Sequence, residues 1–183
     1  KLGLALIQFL TLYIDNNLKN PQVIYAGAAP GNNIDFVSKL FPNVRFHLYD
    51  PRDFEIKLDN RVFKYNGPES ESMITNEHKI IIYTGNKYGF FTDSEAKKWG
   101  NYQNINGGVF FVSDIRTGDE KDSTEQFEVK VVADMVNQSN WHKIINPVKS
   151  QLKFRLPYNL NKTEKKLAKF PYLKGIIYKG IYQ

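Results

Sequence analysis

The 183-residue chain predicts an α/β fold, a doubly wound and mostly parallel sheet with helices on both faces. Short apolar runs alternate with segments of helical periodicity along most of the sequence. Two of these runs end in residues that suit a ligand, because Gly27 follows residues 23–26 and Asp50 follows residues 44–49. With 42% hydrophobic residues, the chain can build one substantial core, and we expect a single domain over residues 1–183.

The elements can be assigned in chain order from their spacing and their stop signals. Leucines and isoleucines at three-to-four spacing predict a helix over residues 2–14, which ends before Pro21. Asn32 or Asn33 can cap a second helix, which stops at Pro42. Strands are predicted at residues 23–26, 44–49, 62–65, 79–83, 109–113, 152–156 and 175–182. Later helices are predicted at residues 94–99, 123–145 and 163–169.

Residues 84–108 are rich in Gly, Asn and Lys, and they are predicted to be rich in loops apart from the short helix at residues 94–99. The chain begins with Lys1 rather than methionine, and it ends in the apolar stretch "GIIYKGIYQ". We therefore expect it to be a fragment of a longer protein.

The net charge of +6 is concentrated near the end of the chain. From residue 143 onward there are ten Lys or Arg residues and a single acid, interleaved with Phe and Tyr. Cations for phosphates and rings for bases suit a surface that faces nucleic acid. A solvated basic face over core aromatics is an equally weighted alternative.

Cysteine is absent and the three histidines are scattered, so we expect no metal site and a reducing, cytoplasmic location. The longest apolar stretch, residues 2–14, is shorter than the roughly 18–20 residues of a membrane span. No membrane partner is therefore expected.

The turn from Gly27 to Gly31 follows the pattern G-x-x-x-G with Pro30 inside it, not the dinucleotide pattern G-x-G-x-x-G. Pro30 has no N–H to offer a pyrophosphate, and the turn has no basic residue. Asp50 lies where an acid accepts hydrogen bonds from ribose hydroxyls. Together these features indicate S-adenosylmethionine and argue against an NAD-dependent dehydrogenase. Taken singly, a glycine pair or an Asp-Pro pair is more often a plain turn.

A third acid, Asp114, follows the strand in "VFFVSDIR" and is expected at the same edge of the sheet. There its carboxylate can face a sulfonium and a reacting group. The alternative is that it only caps the following loop.

The motifs "VIYAGAAPG", "FHLYDPR", "VFFVSDIR" and "NPVKSQLKFRLPY" occur in this order. With them the chain resembles the cap-specific mRNA 2′-O-methyltransferases of poxviruses and related large DNA viruses, and more distantly the FtsJ-type RNA ribose methyltransferases. The resemblance implies a Rossmann-like methyltransferase fold, S-adenosylmethionine as cofactor and capped mRNA as substrate. It also implies a location in the host cytoplasm or the virion. Residues 66–108 match the family poorly and are expected to be an insertion-like region.

The same resemblance implies a role for individual residues. The catalytic set of the family is Lys-Asp-Lys-Glu, and it matches Lys1 as an electrostatic support, Asp114 as the orienting acid and Lys153 as the base. No residue matches the glutamate, which is expected beyond Gln183. The cofactor would contact Tyr25, Gly27, Gly31, Asp50, Arg52, Tyr65, Asn66 and Asp114. Arg155 would contact RNA and Tyr158 would stack on the cap.

The missing glutamate leaves a second hypothesis open. The chain can be a catalytically inactive, RNA-binding subunit that keeps the methyltransferase fold and supports a viral RNA polymerase or a poly(A) polymerase. The resemblance allows this, since the poxviral relative also works as a polyadenylation partner.

Overall fold

The computed structural model describes residues 2–15, 17–155 and 173–176. In these residues the strands are β1 Gln22–Ala26, β2 Arg45–Tyr49, β3 Val62–Lys64, β4 Ile80–Tyr83, β5 Val109–Ser113 and β6 Lys149–Leu152. The helices are α1 Leu2–Tyr13, α2 Ile34–Leu40, α3 Gly85–Tyr88, α4 Asp93–Asn106 and α5 Thr124–Ile145, with a 3-10 helix at Pro68–Met73.

The six strands form one sheet in the order β3-β4-β2-β1-β5-β6, and every neighbouring pair is parallel. Strand β1 lies near the middle, with β2 on one side and β5 on the other. Because the strands are parallel, their carboxyl ends share one edge of the sheet. The predicted Rossmann-like α/β fold is confirmed.

Alternate side chains of the central strands pack into two cores, one on each face of the sheet. On β1, Val23 and Tyr25 join the core beneath α1 and α2, whereas Ile24 and Ala26 join the core beneath α4 and α5. Both faces are covered, so these strands are continuous apolar runs, as the sequence indicated. No helix within the described ranges is long and apolar enough to span a bilayer.

The region predicted to be insertion-like contributes both a strand and a helix to the fold. Strand β4 pairs with β2 and β3 inside the sheet. The helix predicted at residues 94–99 is present but longer, because α4 extends over Asp93–Asn106 and packs against α5, so residues 84–108 contain fewer loops than predicted. A Cβ on Gly100 would lie 2.5 Å from the carbonyl oxygen of Ile144, so the two helices approach closely there. Helix α4 buries only Ala96, Trp99 and Gly100, which leaves a weak periodicity.

The strand predicted at residues 152–156 begins and ends earlier, at Lys149–Leu152. Its side chains are half-buried or exposed, so it lacks the apolar run that marks the other strands. The start of α5 matches its prediction closely, because Ser123 caps the helix and forms a capping box with Gln126. Lys1, Tyr158, the helix predicted at residues 163–169 and most of the strand predicted at 175–182 lie outside the described residues.

Candidate active site

Four of the predicted site residues lie one position past the end of a strand. Gly27 follows β1, Asp50 follows β2, Asp114 follows β5 and Lys153 follows β6. The N–H of each one donates to the last carbonyl of the neighbouring strand, at 2.8 to 3.2 Å. The hydrogen-bond ladder between each pair of strands therefore continues for one residue past the strand end. These hydrogen bonds fix the four residues along the same edge of the sheet.

The surroundings of position 27 leave room only for glycine. Its φ is +77°, and a Cβ there would lie 2.8 Å from the carbonyl carbon of Asp114 and from the nitrogen of Ile115. The missing side chain lets the turn after β1 lie against the segment after β5. The glycine turn predicted to bind a cofactor is therefore in direct backbone contact with Asp114, the predicted catalytic acid.

Gly31 ends the same turn with a φ of +73°. A Cβ there would lie 2.9 Å from Cδ1 of Ile56 and 3.1 Å from the ring of Phe54. The N–H of Glu55 donates to the carbonyl of Pro30 at 2.9 Å. The loop after β2 thus folds over the glycine turn and fixes its shape.

A cavity of about 260 Å³ opens between this turn and the start of α1. Its described lining comprises Gly3, Leu6, Tyr25, Gly27, Ala28, Ala29, Pro30, Gly31, Asn32, Asn33, Ile34 and Asp114. Among these residues Asp114 carries the only charge, and it is negative. Ligand sites usually measure roughly 300–1,000 Å³, so this cavity suits part of a larger ligand, and a phosphate would meet no cation among its described lining residues.

Tyr25 lines this cavity near the carboxyl end of β1 and is itself nearly buried. Burial raises the pKa of its hydroxyl, and the negative charges of Asp114 and Asp50 raise it further. The hydroxyl therefore keeps its proton at physiological pH and can donate a hydrogen bond to a ligand.

Asp50 is 2% exposed, and its carboxylate already accepts four hydrogen bonds. Oδ2 accepts hydrogen bonds from the Ala29 N–H at 3.1 Å and from Arg52 Nη2 at 2.9 Å. Oδ1 accepts from the Arg52 backbone N–H and from its Nε, both at 3.0 Å. A ribose could reach this carboxylate only after the Arg52 side chain, which is 70% exposed, moves away. Hydrogen bonding to Asp50 also raises the pKa of Arg52.

Asp114 and Lys153 form an ion pair beside the cavity. Lys153 Nζ lies 2.6 Å from Asp114 Oδ1, and the two side chains are 35% and 12% exposed respectively. Oδ1 is buried and, within the described part of the chain, has no hydrogen bond of good geometry besides this charge contact. Because Asp114 lines the cavity, the pair brings an amine next to one of its lining residues.

Tyr65 and Asn66, predicted to lie near an adenine, follow the edge strand β3. Tyr65 packs against the rings of Tyr83 and Tyr88, with centroid distances of 4.7 and 5.1 Å. Strand β4 separates β3 from β2, so these residues lie two strand spacings, about 10 Å, from the end of β2. Thr84, which was not predicted as a site residue, follows β4, and its hydroxyl donates to the Arg52 carbonyl at 2.8 Å. Strand order cannot be deduced from apolar runs alone.

Arg155, predicted to contact RNA, is held by helix α5. Its guanidinium forms an ion pair with the buried carboxylate of Glu128 and lies 5.4 Å from the centroid of the Phe127 ring. An RNA contact for Arg155 stays a prediction. The polar residues of α5 that reach this segment gave no sequence signal, since a lone Glu or Gln in a helix is usually on its solvent face.

One comparison with known families identifies the chain. A family model described as the poly(A) polymerase regulatory subunit matches residues 1–172. No curated protein matches the chain. The assignment to the cap-specific mRNA 2′-O-methyltransferases and to the FtsJ-type enzymes was therefore wrong, because the family that matches is defined by a polymerase subunit.

Proposed function

The chain belongs to the family of poly(A) polymerase regulatory subunits, and on this basis we propose that it acts as the regulatory subunit of a poly(A) polymerase. The proposal rests on the match over residues 1–172, which includes every strand that the structure describes. The basic and aromatic composition after residue 143 supports a contact with RNA. A cytoplasmic or virion location belongs to the same proposal.

A polyadenylation assay tests this function. The catalytic subunit of the poly(A) polymerase from the same source is incubated with an RNA primer, with and without the chain, and the tail lengths are compared. We expect the two proteins to co-elute and the tails to lengthen when the chain is present. Separate elution together with unchanged tails would reject the proposal.

The cavity at the strand ends supports a second function, the binding of S-adenosylmethionine. Among the lining residues that the structure describes, Asp114 carries the only charge, which suits a cationic sulfonium and a ligand without phosphates. Gly27 and Gly31 both line the cavity, so the backbone of the turn after β1 lies within reach of a ligand. Asp50 lies beneath the same turn and offers acceptors for ribose hydroxyls once Arg52 moves.

The ion pair between Lys153 and Asp114 favours methyl transfer to a ribose 2′-hydroxyl of capped mRNA. In this reaction the hydroxyl oxygen forms a bond to the methyl carbon while the bond from that carbon to sulfur breaks, and S-adenosylhomocysteine leaves. Lys153 first releases the proton of its ammonium group to water, and the hydroxyl proton then passes to Nζ and from there to water. Asp114 would orient Nζ and offset the charge of the sulfonium before transfer.

Transfer of a labelled methyl group from S-adenosylmethionine to capped RNA tests this chemistry. Lys153→Met should lower the rate by about 10²- to 10⁴-fold, the usual contribution of a positioned base. Lys149→Met is the matched control. Lys149 is an exposed lysine at the start of β6, the strand that Lys153 follows, so its variant should keep near-normal activity. Equal rates for the two variants would reject Lys153 as the base. Polyadenylation support without methyl transfer would leave the regulatory function as the only one.

A further inference from the structure

Helix α5 buries an unusual number of polar side chains for a helix that covers one face of a sheet. Glu128, Asp134, Gln138 and Ser139 are all between 0% and 3% exposed. A covering helix normally keeps such residues on its solvent face, and burying them is unfavourable unless they are hydrogen-bonded. Three of the four reach the segments that follow β5 and β6.

Asp134 holds the loop that begins at Asp114. Its two carboxylate oxygens accept hydrogen bonds from the backbone N–H and the hydroxyl of Thr117, at 2.9 and 2.8 Å. One residue further on, a Cβ on Gly118 would lie 2.5 Å from the ring of Phe127. The loop is therefore tied to α5 at two consecutive positions.

Gln138 and Glu128 hold the segment that contains Lys153. The side-chain amide of Gln138 donates to the carbonyl of Lys153, and Glu128 forms its ion pair with Arg155. On the other side of the residue, the N–H of Lys153 donates to the carbonyl of Ser113 at 2.9 Å. Both peptide groups that flank the Lys153 Cα are thus fixed, although the residue lies past the end of β6.

This geometry determines where the amine of Lys153 can point. The N–H is fixed by the sheet and the carbonyl by the helix, so the side chain leaves a backbone that cannot rotate freely. Nζ then lies 2.6 Å from Asp114, whose own loop is tied to the same helix. One rigid element therefore sets the relative position of the two charged groups.

We propose that Gln138 is a positioning residue for Lys153, and that α5 aligns Lys153 with Asp114 for proton transfer. The inference rests on the proposed methyl transfer. It assigns Gln138 no contact with the cofactor, because Gln138 lies apart from the cavity lining. Removing its donor should therefore change the reaction and not the binding of either substrate.

The test compares Gln138→Met with Gln103→Met in the full chain. Gln103 is the matched control, because its side chain accepts a hydrogen bond from the Val109 N–H at 2.8 Å, at the opposite end of β5. We expect Gln138→Met to lower kcat about tenfold or more, since small misplacements of a reacting group are costly. KM for both substrates and the affinity for S-adenosylhomocysteine should stay within about twofold. The control should keep its kcat.

Hydrogen exchange supplies a readout that does not depend on turnover. Amides of residues 149–155 should exchange faster in Gln138→Met than in Gln103→Met. Equal exchange, or an equal kcat in the two variants, would overturn the inference. If the wild type transfers no methyl group, the proposed chemistry fails, and exchange alone then decides whether Gln138 anchors the segment.

A second variant covers the case in which Gln138→Met does not fold. Asp134→Asn weakens the anchor on the Asp114 side and should likewise lower kcat while KM stays unchanged. A rise in KM with an unchanged kcat would overturn the role assigned to α5.

Discussion

Lys153 and Asp114 meet across two neighbouring strands, with Nζ 2.6 Å from Oδ1. Strands β5 and β6 are parallel, and Ser113 lies opposite Leu152 in their register. Asp114 and Lys153, which directly follow Ser113 and Leu152, therefore also lie opposite each other. The ion pair follows from the register of the sheet, so the two residues act as a unit.

Replacing Asp114 by Asn should lower methyl transfer by about 100-fold, because Lys153 loses the charge that orients it. The amide keeps the size of the side chain, so the cavity keeps its shape. Initial rates with capped RNA measure the effect. Asp122→Asn is the control, since it breaks another ion pair, with Lys130 at 2.7 Å, away from the strand ends. Similar losses in both variants would contradict a specific role for Asp114.

Gly27→Ala should destabilise the fold more than an alanine at another glycine with a positive φ. Gly107 has a φ of +70°, and a Cβ there would meet no atom within 4 Å, so its alanine variant bears only the backbone cost of about 1–3 kcal/mol. At Gly27 the contact with the Asp114 backbone adds to that cost. Urea denaturation should show an excess loss of roughly 2 kcal/mol, within the range of strained core sites. Equal losses would mean that the turn relaxes away from Asp114.

His47 should make stability depend on pH below about 6.5, the ordinary pKa of a histidine. Its ring is buried between Gln22 and Tyr83, with Nε2 2.9 Å from Gln22 Oε1 and Nδ1 3.3 Å from the Tyr83 hydroxyl. Burial holds the pKa of His47 well below its usual value, and the positive charges of Arg45 and Lys98 lower it further.

The unfolded chain therefore binds a proton at His47 that the folded protein resists, and stability is lost as the pH falls below about 6.5. Thermal unfolding from pH 7.5 to 5 measures this loss. His47→Gln should flatten the profile more than His142→Gln does, because burial lowers the pKa of His142 less than that of His47. A profile that His47→Gln does not alter would assign the pH dependence to other groups.

Strands that are buried on both faces could be predicted well from the sequence. The run "VFFVS" marks β5 with the bounds that the structure has, because mainly apolar residues fit between two helix layers. Strand β6 and helix α4 were predicted with wrong bounds for the opposite reason. Each buries few apolar side chains, so neither leaves a strong periodic signal.

The site was only partly accessible to sequence reasoning. Gly27, Asp50 and Asp114 follow apolar runs, so their common edge could be inferred from the order of residues alone. Two other contacts depend on side-chain geometry, which the spacing of residues does not encode. They are the hydrogen bonds from Arg52 to Asp50 and from Gln138 to the Lys153 carbonyl. The family itself was misassigned, because the motifs at the strand ends describe the fold and the pocket rather than the polymerase partner.

Calorimetry with S-adenosylhomocysteine measures directly whether the pocket at the strand ends binds an adenosyl ligand. Asp50→Ala is compared with Asp59→Ala, since Asp59 forms the same local pair two residues before an arginine, with Arg61, at an exposed position. We predict binding to the wild type, a loss of about tenfold or more in Asp50→Ala, and near-normal affinity in Asp59→Ala. Absence of binding to the wild type, or equal affinity in all three proteins, would contradict the claim that this strand-end pocket holds the adenosyl cofactor.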